Sequence, residues 1–362
     1  MKKKITLALS LAMLVFIIAG CGSNTNNPAG ETTAATTQTE TTAATTGETT
    51  GTAAGNALKT GLAVITSIAS SKDAGEADGL AQTDSTVIAL TVDAAGKIVD
   101  CKIDAAQTKI NFSKEGKIVT PLDTVMNTKQ EKGAEYGMAK ASGIGKEWSD
   151  QANAFAAYVI GKTVDEVKGI ALNEKGAPTD AELSSSVTVH VNEFMAAIEK
   201  AVANAKDLGA KSGDKLGLGI VTTINKSADA GEKEGLAQAY SMYTATTFDA
   251  SGKITSSIID GSQANVNFTK EGKITSDLKA ATKTKNELGP EYGMKKASAI
   301  GKEWNEQAEA FAKYVVGKNV EEVKGIALNE KGTPADAELS SSVTIHTSDF
   351  TTIIEKASAN AK

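Results

Sequence analysis

The chain has 362 residues, long enough for two domains that each bury their own core. Its formal net charge is -6 and every basic side chain is a lysine. An acidic chain is a poor ligand for nucleic acid or for an anionic membrane surface, and without arginine no bidentate guanidinium clamp on phosphate can form.

The first element is a targeting segment. Lys2, Lys3 and Lys4 precede an apolar run from Ile5 to Ile18, which is short for a membrane span. The run closes on Ile18-Ala19-Gly20-Cys21, small residues followed by a thiol, and this resembles the bacterial lipobox. Residues 1–20 are expected to be a lipoprotein signal peptide. Cys21 is expected to be lipidated, holding the chain at the outer face of the cell membrane through more than one acyl chain. Residues 21–56 are mostly Thr, Ala, Glu, Gly and Asn, with no apolar period. Such a segment cannot offset the entropy of folding and is expected to be a disordered tether.

Beyond the tether the sequence repeats itself without a gap. Gly61-Leu62 returns as Gly217-Leu218, and Trp148 as Trp304, always 156 residues on. A unit this long is a domain rather than a solenoid repeat. The expected division is a first domain at 57–206, a short Gly/Lys/Asp-rich linker at 207–215, and a second domain at 216–362. Cys101, the only other cysteine, is matched by Ser257. That favours a small packed residue over a shared catalytic thiol, and with Cys21 lipidated no intrachain disulfide can form.

Within one copy, Leu62 to Ile68 reads as a strand. Thr86 to Val92 and Lys97 to Ile103 alternate in strand fashion about a turn at Asp93-Ala94-Ala95-Gly96. Ile110 to Phe112 and Lys117 to Thr120 suggest a second hairpin. Ile144, Trp148, Ala152, Phe155 and Val159 recur at helical spacing, so the pattern predicts a helix from about Lys140 to Ile160. A short helix is expected at Val164 to Val167, a strand at Ser186 to Val191, and a closing helix from Asn192 to Ala205. Strands followed by helices predict an α+β domain with a mainly antiparallel sheet, present twice.

The chemistry-bearing segment is Asp180-Ala181-Glu182-Leu183-Ser184-Ser185-Ser186-Val187-Thr188-Val189-His190. It returns as Asp336-Ala337-Glu338-Leu339-Ser340-Ser341-Ser342-Val343-Thr344-Ile345-His346. The chain's two histidines each follow a threonine by two residues. On a strand the hydroxyl and imidazole of such a pair share a face. From chemistry alone, a Ser/Thr-rich edge strand with a surface histidine is as good a reading as a functional site. A hydrolase built on Ser184 to Ser186 and His190 lacks a nucleophile-elbow pattern. A metal site is not expected, because each copy holds one histidine and no cysteine cluster.

The segment resembles the acceptor site of covalent FMN-binding domains, in which a threonine behind a run of small residues receives FMN from a dedicated flavin transferase. The match lies at Ser185-Ser186-Val187-Thr188 and Ser341-Ser342-Val343-Thr344. Serine and valine stand where the family has glycine and alanine, and either Asp180 or Glu182 stands for the family's aspartate. The layout of lipobox, Thr-rich tether and two copies is similar to the tandem-domain lipoproteins of Gram-positive extracellular electron transfer, as are the Gly-Met-x-x-Ala-Ser and Ile-Gly-Lys-Glu-Trp segments.

The resemblance implies two FMN groups phosphoester-linked to Thr188 and Thr344, and an electron carrier rather than an enzyme with its own substrate. It implies a flavin transferase for maturation, a membrane quinol-linked donor, and an external acceptor such as ferric iron. Ser185, Ser186, His190, Ser341, Ser342 and His346 are supporting candidates. Tyr136, Tyr292, Met138 and Met294 are candidate ring contacts. Trp148 and Trp304 also recur, but Trp148 lies on the apolar helix face, where packing is its plainer role. The alternative is a solute-binding or structural surface lipoprotein without a redox cofactor.

Overall fold

The computed structural model describes residues 56–362. The expected signal peptide, Cys21 and all of the expected tether except Asn56 lie outside the described residues. In the first repeat, β1 (Ala57–Ser67), β2 (Gly79–Val92) and β3 (Ile98–Phe112) form an antiparallel meander. The β2–β3 turn is set by Asp93, whose carboxylate accepts the Ala95 and Lys97 N–H groups, while Gly96 takes the left-handed conformation at φ 77°.

The helices α1 (Lys129–Lys132), α2 (Trp148–Val159), α3 (Val164–Lys168), α4 (Ala181–Ser184) and α5 (Asn192–Ala203) follow. The second repeat gives β5 (Lys215–Thr223), β6 (Gly235–Phe248) and β7 (Ile254–Phe268). Its helices are α6 (Lys285–Leu288), α7 (Trp304–Tyr314), α8 (Val320–Lys324), α9 (Ala337–Ser340) and α10 (Ser348–Asn360). Between the repeats, β4 (Lys206–Lys211) pairs antiparallel with β1. The fold is therefore α+β, with a four-stranded sheet ordered β3-β2-β1-β4 and a three-stranded sheet ordered β5-β6-β7.

Three local expectations need correction. The segment 207–215 is not merely a linker, since most of it is strand β4 and Ala210 is buried against its neighbours. The helix read from about Lys140 begins only at Trp148. Gly145 turns the preceding chain at φ 64°, and Asp150 accepts the Glu147 N–H in a capping box that fixes the start. The stretch Ser186 to Val191 is not a strand. It is a loop between α4 and α5, anchored by the wholly buried Val187 and Val191, so its alternation reflects two anchor points.

Each sheet is covered on both faces. Along β2, Ile88, Leu90 and Val92 enter a core with Phe155, Phe194 and Ile198 from α2 and α5. Val87 and Ala89 point the other way. With Leu62 and Val64 they meet Leu216, Leu218, Ile220, Tyr243 and Ala245 of the second sheet. The layers run helices, sheet, sheet, helices, and residues 56–362 fall within one compact unit.

The contact between the repeats is reciprocal. Ala74 donates its N–H to the Gly272 carbonyl and Ala230 to the Gly116 carbonyl. Asp73 accepts from the Ile274 N–H and Asp229 from the Ile118 N–H. Lys273 pairs with Asp73 and Lys117 with Asp229, while Lys200 pairs with Glu287 and Lys356 with Glu131. Phe112 and Phe268, residues of the same register, stack at 4.3 Å between ring centroids. This is the pattern of a twofold dimer contained in one chain. Glycine is required where the turns cross: at Gly116 and Gly272, both with positive φ, a Cβ would lie 2.7 Å from Lys270 Cα and 2.6 Å from Ala74 Cβ.

Because the sheets share a core, both repeats should unfold together. Each repeat holds one tryptophan, so the variants Trp148→Phe and Trp304→Phe leave a reporter in one repeat at a time. The expected outcome is the same urea midpoint for both. Phe268→Ala should lower both by the equivalent of about 3–5 kcal/mol. Two separate transitions, with only one displaced by Phe268→Ala, would show that the repeats are independent.

Candidate functional site

Both predicted threonines sit on the loop that follows a short capped helix. Asp180 caps α4, its Oδ1 accepting the Glu182 and Leu183 N–H groups, and Asp336 caps α9 in the same way. Asp180 and Asp336 thus shape the turn into the threonine loop. The serines serve the same turn: Ser185 donates to the Glu182 carbonyl at 2.7 Å and Ser186 to the Leu183 carbonyl at 3.1 Å, with Ser341 and Ser342 matching them.

The residue that holds each threonine is a buried glutamine that the sequence reading missed. Gln151 on α2 is fully buried. Its Oε1 accepts the Thr188 N–H at 2.8 Å, the Thr188 hydroxyl at 3.1 Å and the Val189 N–H at 3.2 Å. Its Nε2 donates to Ser142 Oγ, to the Lys146 carbonyl and to Met138 Sδ. The second repeat reproduces this. Gln307 accepts from the Thr344 N–H and hydroxyl, and donates to Ser298, the Lys302 carbonyl and Met294 Sδ. The partners are backbone donors on one side and acceptors on the other, so the amide orientation follows from chemistry. A signal was present in the sequence: Gln151 lies three residues after Trp148 on the apolar face of a helix, the wrong place for an amide unless it has partners.

The glutamines join the threonines to other predicted residues. Met138 and Tyr136 pack against the core that contains Trp148, and Met294 and Tyr292 against the core that contains Trp304. The recurrent glutamate serves as scaffold. Glu147 accepts the Met138 and Ala139 N–H groups while capping α2, and Glu303 accepts the Met294 N–H while capping α7. The tryptophans are core residues stacked edge-on against Phe194 and Phe350.

The histidines do not share a strand face with the threonines, since that segment is a loop. Both are exposed, and the His346 ring lies against the Cα of Gly332. Among the described residues no three His, Cys, Asp or Glu side chains are grouped to hold a metal ion.

A lysine completes each cluster, and it too was missed. Lys129 Nζ lies 4.9 Å from the Tyr136 ring centroid and 5.0 Å from that of Trp148. Lys285 is more enclosed. Its amine is 2.8 Å from Tyr240 Oη and within 4.4–4.9 Å of the Tyr240, Tyr292 and Trp304 ring centroids. Burial pushes Lys285 down to about 7, against the opposing pull of Asp260 and Asp349. Burial also pushes Asp260 up to about 6 and its counterpart Asp104 up to about 7, although both accept backbone N–H groups. Burial likewise raises the Cys101 thiol.

No protein-family model matches the chain, and neither a curated protein nor a solved structure matches it.

Two measurements test this geometry. Gln151→Ala strands the Thr188 and Val189 N–H groups and should cost about 2–3 kcal/mol in urea unfolding, with faster amide exchange at those two residues. Unchanged exchange there would remove the clamp. Lys285 binds its proton more weakly in the fold than at its ordinary 10.5. The unfolded chain therefore holds more protons between pH 7 and 10.5, and this group makes stability rise with pH across that window. Lys285→Met should flatten that part of the stability profile relative to the natural chain, and an unaltered slope would show that the amine keeps its ordinary affinity.

Proposed function

We propose that this protein is a membrane-anchored, extracytoplasmic electron carrier with one FMN linked through phosphate to Thr188 and a second to Thr344. The observation that carries this reading is the duplicated threonine loop. In each repeat a threonine on an accessible loop is held by an amide with no solvent exposure of its own, next to a tyrosine, a methionine and a lysine.

The residues present suit such a group. Thr188 is exposed and Thr344 half-buried, so their hydroxyls are within reach of a maturation enzyme. Gln151 and Gln307 fix the orientation of the hydroxyl and of the adjoining peptide. Val187 and Val343, wholly buried, stop the loop from swinging at the residue before. Tyr136, Met138, Tyr292 and Met294 would hold the ring system, with the amines of Lys129 and Lys285 beside it. A bound flavin exchanges electrons in pairs and singly, which suits a junction between a two-electron donor and a one-electron acceptor. The ester link would keep a soluble cofactor from being lost outside the membrane.

The quinol-linked donor, the ferric-iron-like acceptor, the flavin transferase and the lipid anchor on Cys21 belong to the same proposal. They rest on the sequence resemblance.

Expression with a flavin transferase decides the matter. The expected outcome is a yellow band after denaturing electrophoresis and an intact mass carrying two FMN groups, each less one water. Thr188→Ala and Thr344→Ala should each remove one and leave the other. Both additions surviving Thr188→Ala would place the bond elsewhere, and no addition at all is the outcome expected of a solute-binding or structural lipoprotein.

A further inference from the structure

We infer that the two sites are electrostatically unequal, and that a flavin on Thr344 is easier to reduce than one on Thr188. The inference rests on the attachment proposed above.

The difference begins at one strand position. Tyr240 on β6 faces Gln263 across the β6–β7 ladder, and Asp84 on β2 faces Gln107 in the same register. In the second repeat Tyr240 lies over Lys285, and Tyr292 donates its hydroxyl hydrogen to Gln263 Oε1 at 3.1 Å. In the first, Asp84 draws the glutamines to itself. Gln107 Nε2 donates to its Oδ1 at 2.9 Å and Gln82 Nε2 to its Oδ2 at 2.7 Å. Asp84 makes no ion pair among the described residues. At this register position the first repeat thus carries a half-buried carboxylate, solvated by neutral amides, where the second carries a phenol.

A second acidic position also differs in its surroundings. Glu193 on α5 accepts from the Thr86 hydroxyl at 2.8 Å. Its counterpart Asp349 is half-buried, and burial raises its carboxyl against the opposing pull of His346 and Lys285. The buried acids Asp104 and Asp260 occur in both repeats, as do Lys129 and Lys285, so they do not create the asymmetry. Reduction adds negative charge to a flavin. A nearby carboxylate without an ion-pair partner opposes that charge. The exchange of Asp84 for Tyr240 makes the second site the better electron acceptor.

The test is an anaerobic potentiometric titration of the loaded full-length chain with dithionite. One dithionite, oxidised to two sulfites, delivers the two electrons that each flavin takes up, with protons drawn from solvent. Thr188→Ala and Thr344→Ala chains assign the two midpoints. The expected result is two resolved steps with the Thr344 flavin reduced first, by at least tenfold in equilibrium constant, about 30 mV for a two-electron couple. Asp84→Asn, a conservative change at a half-buried residue, should raise the first-repeat midpoint and narrow the gap, and Tyr240→Asp should lower the second. Coincident midpoints, reduction of the Thr188 flavin first, or a gap unmoved by Asp84→Asn would each overturn the inference while leaving the attachment intact. A chain with no flavin mass on either threonine would instead overturn the attachment reading itself.

Discussion

Both faces of each sheet are largely buried, and the apolar side chains on each must be kept from water. Helices cover one face, and the other repeat covers the second. Ten buried side chains meet between the sheets, Tyr243 among them. At about 1.5–3 kcal/mol for each fully buried large apolar side chain, this contact outweighs the reciprocal ion pairs at its rim, where exposed pairs contribute about 0–1 kcal/mol each. The sheets are therefore held by burial, and pairs such as Lys117 with Asp229 add alignment more than stability. Neither repeat could be removed without exposing an apolar sheet face.

That constraint also shows how the copies have diverged inside the core. Ile88, Leu90 and Cys101 form an apolar group beneath the helices of the first repeat. The same three positions in the second repeat are Thr244, Thr246 and Ser257, joined by hydrogen bonds of 2.8 Å between the threonines and 3.0 Å from Thr246 to Ser257. A single polar residue among the apolar ones would bury an unsatisfied hydroxyl. Three together satisfy one another. The exchange of Cys101 for Ser257 thus follows from packing.

The sequence revealed what depends on local periodicity. The meander, the existence of a helix ending near Ile160 and of a short one from Val164, and the α+β class all follow from spacing and turn residues, although spacing places the start of the first helix near Lys140 instead of at Trp148. It was less informative where long-range partners decide. Strand β4 is polar and glycine-containing because its side chains are mostly exposed, and only its backbone pairing with β1 makes it a strand. The loop carrying Thr188 alternates like a strand because two buried valines happen to frame it. The sheet-to-sheet contact left one trace, the continuous apolar run Val87-Ile88-Ala89-Leu90 inside a segment that reads as alternating, as expected of a strand covered on both faces. Within the candidate site the threonines were legible as a motif. Gln151 and Lys285 were not, because an amide on an apolar helix face and a lysine at the first position of a short helix acquire meaning only from what surrounds them.

The continuous core also constrains how two sites in one chain can work. Had the repeats been joined by a flexible linker, each threonine loop would sample its own range of positions. Here the chain passes from α5 through β4 into β5 while paired to β1, and the sheets interlock across Phe112 and Phe268. The separation between Thr188 and Thr344 is accordingly fixed by packing that is costly to open. Under the proposed function, the order in which the two groups fill with electrons is set by the side chains that differ between otherwise duplicate sites. The near-identity of the repeats preserves the clamp, and the few unmatched residues beside it, Asp84 against Tyr240 and Glu193 against Asp349, are where direction would be encoded.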